Sequence, residues 1–143
     1  YKIILDRQNQ LKSDLIGKES EIAISFGLYS LDKSNNKYKE LTSFGEFQKV
    51  LRIDLHKERP EDYEEEMYFD IYIKAEKWKN GGRDEILKAI ADDEIRAMFI
   101  SPSGKCIIAH YDGGVDVIVD STEKRDKLKA KYKDWLSNRE DGM

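Results

Sequence analysis

Three short apolar segments lie close together in the last third of the chain, and tight turns separate them. Residues 95–100, 105–111 and 115–119 are rich in Ile, Val, Phe and Tyr, which favour strands. The connections at Ser101–Gly104 and Asp112–Gly114 contain Gly or Pro and span only a few residues. Because connections this short join only antiparallel neighbours, we expect the three segments to form a meander.

Periodicity in the rest of the sequence predicts further helices and strands. Apolar residues at helical spacing predict a helix over residues 1–18, and clean alternation predicts a strand over residues 21–30. Residues 67–74 alternate in the same way and predict another strand. The pair Asp120 and Glu123 matches a capping box, which predicts a helix that continues to about residue 139.

The segment that follows the first predicted strand is ambiguous. Asp32–Asn36 is a cluster of turn residues, and Tyr38–Leu41 could return as the hairpin partner. Ser43 is a candidate N-cap for a short helix that extends to about Val50. A strand is then expected to continue to Leu55.

These elements together predict one α+β domain over residues 1–143. We expect a mainly antiparallel sheet of about five to seven strands, with long N- and C-terminal helices and a short helix that Asp84 caps. A chain of 143 residues, of which 39% are hydrophobic, can bury a core without disulfides or metals. No apolar run approaches the roughly 20 residues that cross a bilayer, so we expect no membrane span.

The composition disfavours several classes of function. The net charge of −4 disfavours a general nucleic-acid-binding protein, and the lysines of the last helix are interleaved with acidic residues. The single cysteine, Cys106, excludes an internal disulfide and fits a reducing cytoplasm. Cys106 and His110 would lie about 13 Å apart on one strand, which is too far for a thiolate–imidazole pair. No cofactor is expected, because neither glycine pair fits a nucleotide-binding loop.

A metal site is the alternative that would make the protein an enzyme. His110, Asp112 and Asp116 could converge around the turn at residues 112–114, and one imidazole with two carboxylates can hold a divalent ion. With that arrangement the protein would be a metal-dependent hydrolase centred on these three residues. The favoured interpretation is structural, since Asp-Gly and Gly-Gly are common turn residues.

An acidic segment and a tyrosine-bearing strand are the best candidates for a binding surface. Residues 58–66 contain six acidic residues and one arginine, and the strand after them presents Tyr68, Asp70 and Tyr72 on one face. Carboxylates beside tyrosines would steer a basic protein partner and provide contacts. The competing interpretation is a solvated acidic loop with the tyrosines covered by a helix. The predicted partner-binding residues are Glu61, Asp62, Glu64, Glu65, Tyr68, Asp70 and Tyr72.

The C-terminal half resembles a widespread bacterial family known as domain of unknown function 3885. The residues that carry the resemblance are His110–Asp112, Gly114–Ile118 and the helix end Tyr132–Leu136, with a weaker likeness at Trp78 and its downstream helix. The resemblance covers about residues 76–139. It implies an α+β fold without an assigned reaction.

The chain is also similar in size and charge to the small immunity proteins of bacterial polymorphic and contact-dependent toxin systems. That similarity implies a cytoplasmic binding protein that neutralises a cognate toxin, such as a basic nuclease. Two alternatives remain open. One is the metal-dependent hydrolase, and the other is an oligomerising domain without catalytic function, in which the tyrosine-bearing face pairs with itself in a homodimer.

Overall fold

The computed structural model describes residues 1–17, 19–31, 44–111 and 114–136. Within these residues, six strands form one sheet and four α-helices accompany it. In chain order the elements are α1 (Lys2–Ile16), β1 (Glu21–Ser30), β2 (Gln48–Asp54), α2 (Leu55–Glu58), β3 (Tyr68–Lys77), α3 (Asp84–Ala91), β4 (Ala97–Ser101), β5 (Cys106–Tyr111), β6 (Gly114–Val119) and α4 (Thr122–Lys131), followed by a 3-10 turn (Lys133–Trp135).

The strand order is β2-β3-β1-β4-β5-β6, and every pairing is antiparallel. Strand β1 lies in the middle and pairs with β3 over ten residues, from Glu21↔Lys77 to Ser30↔Tyr68. Strand β1 has the same bounds in the structure as the strand predicted over residues 21–30. The predicted meander of β4, β5 and β6 is confirmed, as is the predicted α+β class with an antiparallel sheet.

One face of the sheet carries the hydrophobic core. The side chains of Ile22, Ile24, Phe26 and Leu28 in β1 alternate into this face and are buried. They pack with buried side chains from α1, α3, β4 and β5 in one cluster. Burying a side chain of this size contributes about 1.5–3 kcal/mol, so the alternation of β1 determines which side of the sheet the helices cover.

The opposite face of the sheet carries many apolar side chains together with the exposed charged residues Glu21, Lys77 and Asp116, and we call it the open face. Helices α1, α3 and α4 place their buried or half-buried apolar residues against the core, and none of these three packs on the open face in the described residues. The register places these apolar side chains on the open face: Tyr29, Leu51, Ile53, Phe69, Ile71, Ile73, Met98, Ile100, Ile107 and Tyr111.

The predicted helix between Phe44 and Val50 is wrong. Strand β2 already begins at Gln48, where it pairs with Ile73, and Gly45–Phe47 is irregular. The two phenylalanines of this segment both contact Phe26, with ring centroids 6.1 Å and 4.5 Å away. They therefore pack on the core as a loop, because pairing with β3 takes the following residues into the sheet.

The predicted helices at the two ends of the chain differ in outcome. Helix α1 has 15 residues and is long, as expected, but α4 has only 10 and ends at Lys131. Its N-cap is Ser121, whose hydroxyl accepts a hydrogen bond from the backbone N–H of Lys124 at 3.2 Å, so the capping box predicted at Asp120 is wrong by one residue. The chain then turns so that Tyr132 is buried and donates a hydrogen bond to Asp14 of α1.

Several predictions lie outside the described residues. These are the turn at Asp32–Asn36, the hairpin strand at Tyr38–Leu41, the N-cap at Ser43, the first two residues of the turn at Asp112–Gly114, and the continuation of the last helix beyond residue 136. Among the described helices, none combines the length and the apolarity that crossing a bilayer requires.

We predict that Gly27→Ala destabilises the protein through Phe69. The Phe69 ring lies on Gly27, and a Cβ atom at residue 27 would be 2.1 Å from Cζ of that ring. The ring would have to leave its contact with Tyr29, where the centroids are 4.9 Å apart, so the free energy of unfolding should fall by about 1–3 kcal/mol. Urea denaturation measures this change.

The control for this prediction is a double-mutant cycle. In a Phe69→Ala background the clash is absent, and alanine is preferred over glycine inside a strand by about 0.5–1 kcal/mol. Gly27→Ala should then be neutral or stabilising. An equal loss of stability in both backgrounds would show that the Phe69 ring is not the cause.

Candidate functional site

The acidic segment, residues 58–66, connects α2 to β3 and is the strongest concentration of acidic residues in the described chain. All six of its acidic side chains are exposed. Asp62 forms an ion pair with Arg59 at 2.5 Å, and Glu66 accepts a hydrogen bond from the Tyr68 hydroxyl. The other four have no hydrogen bond or ion pair within the described residues, and they are Glu58, Glu61, Glu64 and Glu65.

Backbone and side-chain hydrogen bonds hold the acidic segment in place. Asp54 caps the one-turn helix α2 by accepting from the N–H of Lys57 at 3.1 Å, and Leu55 N–H donates to Met67 O at 2.9 Å. The Nδ1–H of His56 donates to the carbonyl oxygen of Tyr63, with 2.8 Å between the two atoms. These bonds close the segment at both of its ends, so its carboxylates are presented on an ordered backbone.

Tyr63 of the acidic segment lies close to Tyr29 of the open face. Hydrogen bonding with the Tyr29 side chain is the main cause that raises the pKa of Tyr63. Tyr29 in turn packs against Phe69 and is 50% exposed. The apolar face therefore continues directly into the charged segment at the end of the sheet where β1 ends and β3 begins.

The prediction that Asp70 and Tyr72 lie on an exposed face is wrong. Their cross-strand partners are Leu28 and Phe26, so both side chains point to the core face, where Asp70 is fully buried and Tyr72 is 5% exposed. Asp70 is accommodated because it accepts two hydrogen bonds from Arg52, at 2.7 Å and 2.8 Å. The sequence pattern assigned the wrong face because the more apolar face of β3, with Phe69, Ile71 and Ile73, is the open face, whereas the face that carries Asp70 is the one against the core.

The other predicted contact residues remain accessible to different degrees. Glu61, Asp62, Glu64 and Glu65 are exposed. Tyr68 is half-buried, since the Arg52 guanidinium lies over its ring at 4.7 Å from the centroid. The bond to Glu66 raises the pKa of Tyr68. The exposed part of the predicted set is thus the acidic segment itself, with Tyr68 at its edge.

The alternative metal site does not bring His110 and Asp116 together. His110 pairs with Val115 and Asp116 pairs with Ala109, so the two side chains lie on opposite faces of the sheet. His110 is buried on the core face and Asp116 is exposed, while Asp112 lies outside the described residues. Within the described chain, no group of three or more His, Cys, Asp or Glu side chains could hold a metal ion.

One buried charged residue, Lys12, is absent from the residues that the sequence analysis singles out. Lys12 lies on the inner face of α1, one turn before Ile16, and is completely buried. Its Nζ atom is 4.8 Å from the Phe99 ring centroid and 5.9 Å from that of Trp78, and it has no hydrogen-bond partner among the described residues. The signal was available, since Lys12 occupies an apolar position in the helical repeat of α1.

Burial perturbs both Lys12 and His110 in the core. It lowers the pKa of Lys12 from 10.5 to about 7, and the Asp84 carboxylate only partly opposes this effect. Burial, together with the nearby Lys12 charge, lowers the pKa of His110 to about 2. The imidazole is therefore neutral at physiological pH. It packs edge-on against Phe99, at 5.5 Å between the ring centroids, as a core side chain.

Fold and site together define an α+β protein with a six-stranded antiparallel sheet, an anchored acidic segment and one open sheet face. A family model described as Domain of unknown function (DUF3885) matches residues 1–140. The chain therefore belongs to this family. The match includes the N-terminal half, so the prediction that the likeness begins near Glu76 is too narrow. No curated protein and no solved structure matches the chain.

We predict that Lys12→Met stabilises the protein and flattens the pH dependence of its stability. Between about pH 7 and 10.5, the unfolded chain holds a proton on Lys12 that the folded chain has lost. The free energy of unfolding therefore rises with pH across this window. Replacing a buried charge by an apolar side chain of similar volume should add about 1–3 kcal/mol at pH 7. Urea denaturation at several pH values measures both effects.

The matched control is Lys127→Met, which removes an exposed lysine from α4. It should leave both the stability and its pH dependence close to those of the parent protein, because an exposed lysine keeps its hydration in the folded state. A Lys12→Met variant that is less stable than the parent at pH 7 would show that burial of this charge does not destabilise the folded protein.

Proposed function

We propose that the protein is an inhibitory binding protein of the immunity type, which neutralises a cognate bacterial toxin by covering a basic surface on it. The acidic segment is the contact surface. The observation that carries the proposal is a set of four exposed carboxylates that have no hydrogen bond or ion pair in the part of the chain that the structure describes. They are held on an ordered connection between α2 and β3.

Unpaired carboxylates on an ordered backbone favour binding in two ways. Their combined field attracts a positively charged partner and raises the rate of encounter. Because the hydrogen bonds of Asp54, Leu55 and His56 already order the segment, less conformational entropy is lost on association. Both effects require a preformed acidic surface, and neither requires the protein to catalyse a reaction.

The proposed contacts are Glu61, Asp62, Glu64, Glu65 and Tyr68. Asp70 and Tyr72 are buried, and their role is to support this end of the sheet from the core side, with Asp70 holding Arg52 beneath Tyr68. If the toxin is a nuclease, the carboxylates would occupy the basic site that binds phosphates. The protein would act in the cytoplasm, where its buried Cys106 would remain a thiol.

The first test is binding to the product of the adjacent reading frame, measured by calorimetry, together with protection of a bacterial host in which both proteins are expressed. We expect a one-to-one complex whose affinity falls steeply as salt is added, because exposed charges are screened beyond about 8 Å at physiological ionic strength. Absence of binding and of protection would refute the immunity proposal for that pair.

We predict that reversing three charges of the acidic segment weakens this complex by at least about 100-fold. The new lysines would repel a basic partner, and the negative field that attracts it would be lost. The variant is Glu61→Lys/Glu64→Lys/Glu65→Lys. Its control is Glu123→Lys/Asp126→Lys/Asp134→Lys, which makes the same change in net charge on exposed residues of α4 and the turn after it. Equal losses in the two variants would show that only net charge matters and that the acidic segment is not the contact surface.

A further inference from the structure

Helix α1 is docked on the core through its C-terminal half. Leu11, Leu15 and Ile16 are buried there, whereas Ile3 and Ile4 in the first turn are 68% and 44% exposed. The N-cap position supplies no side-chain hydrogen bond, and the first turn contains no acidic residue that would interact favourably with the helix dipole. The attachment of α1 therefore depends mainly on the contacts of its last two turns.

Lys12 lies in the middle of this docked half and is completely buried. Its amine meets the rings of Trp78 and Phe99 and has no hydrogen-bond partner in the described chain. Two titratable groups lie near it on the packed elements. The Asp84 carboxylate of α3 favours the charged amine, and the imidazole of His110 in β5 is itself buried and neutral. Contacts with aromatic rings offset only part of the hydration that a buried ammonium group loses.

Polar contacts hold α1 on both sides of the buried lysine. The side chain of Asn9 donates a hydrogen bond to Asp84 at 2.7 Å. Asp14 accepts hydrogen bonds from Lys131 at 2.6 Å and from the hydroxyl of Tyr132. None of these bonds involves the Lys12 amine, so a charge on that amine opposes the docking that the bonds favour.

The connection between α1 and β1 provides a point about which α1 can move. Gly17 ends the helix with a φ of 85°, and Glu19 also has a positive φ, of 59°. Because Gly17 lacks a Cβ atom, it can change its backbone angles at little cost. Strand β1 is paired with β3 on one side and with β4 on the other. Helix α1 can therefore leave the sheet while β1 stays paired.

We propose that α1 is a lid that opens separately from the rest of the core, and that a proton on Lys12 promotes the opening. The lid stays closed while the amine is neutral and packs against Trp78 and Phe99. Protonation makes the same position unfavourable, because water solvates an ammonium group far better than aromatic rings do. Opening returns the amine to water and uncovers both rings.

The direction of the pH effect follows from the two states of the lid. Burial lowers the pKa of Lys12 from 10.5 to about 7 in the closed lid, and in the open lid the pKa returns towards 10.5. The open form therefore binds the additional proton between these values, and opening becomes more frequent as the pH falls. The open fraction should rise roughly 50-fold between pH 9 and pH 7. His110 stays neutral in this range, because burial and the Lys12 charge lower its pKa.

Native-state hydrogen exchange of the full chain tests the proposal. A detached helix of 15 residues is only marginally stable in water, so its amides exchange once the lid opens. The protection factor of an amide compares its exchange rate with that of an unfolded peptide at the same pH. We expect lower protection factors for residues 11–15 of α1 than for residues 22–26 of β1, which report global unfolding. The values for α1 should fall roughly 50-fold from pH 9 to pH 7.

Substitution of the buried lysine tests the role of its proton. Lys12→Met should remove the pH dependence of the protection factors in α1, because the variant has no amine to protonate at this position. The matched control is Lys127→Met, which removes an exposed lysine from α4 and should keep the pH dependence of the parent protein.

Two results would overturn the proposal. Amides of α1 that are protected as strongly as those of β1 would show that α1 opens only when the whole protein unfolds. A pH dependence that persists unchanged in Lys12→Met would show that another group promotes the opening. If Lys12→Met does not fold, an NMR titration of the Lys12 ε-carbon in the parent protein decides the second point, and an amine with an ordinary lysine pKa would refute the proposal.

The lid and the proposed inhibition of a toxin can fail separately. The acidic segment lies between α2 and β3, and none of its residues belongs to the contacts described above that hold α1. A parent protein whose α1 opens in the expected way but which binds no toxin supports only the lid. Toxin binding by a protein whose α1 never opens separately supports only the inhibition.

Discussion

The pairing of β1 with both of its neighbours is the constraint on which the rest of the structure depends. Strand β1 lies at the centre of the sheet, and its register with β3 extends over ten residues. Because cross-strand partners point to the same face, the burial of Ile24 and Phe26 decides the orientation of every residue in β3 and β4. A shift of one residue would expose the core of β1 and turn its neighbours over.

Two charged residues are buried in the core, and the protein accommodates them differently. The register forces Asp70 to the core face, where it retains two hydrogen bonds from Arg52. Lys12 reaches the core from α1, with aromatic rings around it and no hydrogen-bond partner within the described ranges of the chain. The first arrangement supports the end of the sheet beneath the acidic segment. The second loses its charge readily, because burial disfavours the protonated amine.

The same register separates the covered core face from the open face. The core face is covered by α1, α3 and α4, while the open face stays apolar and accessible in the described residues. The acidic segment adjoins the open face through the contact between Tyr63 and Tyr29. A negatively charged end of the molecule therefore lies directly beside the open face.

Local patterns in the sequence were sufficient for the elements whose two faces differ clearly in polarity. Strand β1, helix α1 and the meander follow directly from residue order, and so do the exposed carboxylates of residues 58–66. Only the tertiary structure decided which face of β3 is buried, that Lys12 lies in the core, and that His110 and Asp116 point apart. The physical reason is that alternation defines two faces of a strand, but the neighbouring strands and helices determine which of the two faces meets water. An ion pair such as Arg52–Asp70 also allows a charged residue to lie on the buried face, so a charge in the sequence does not identify the exposed face.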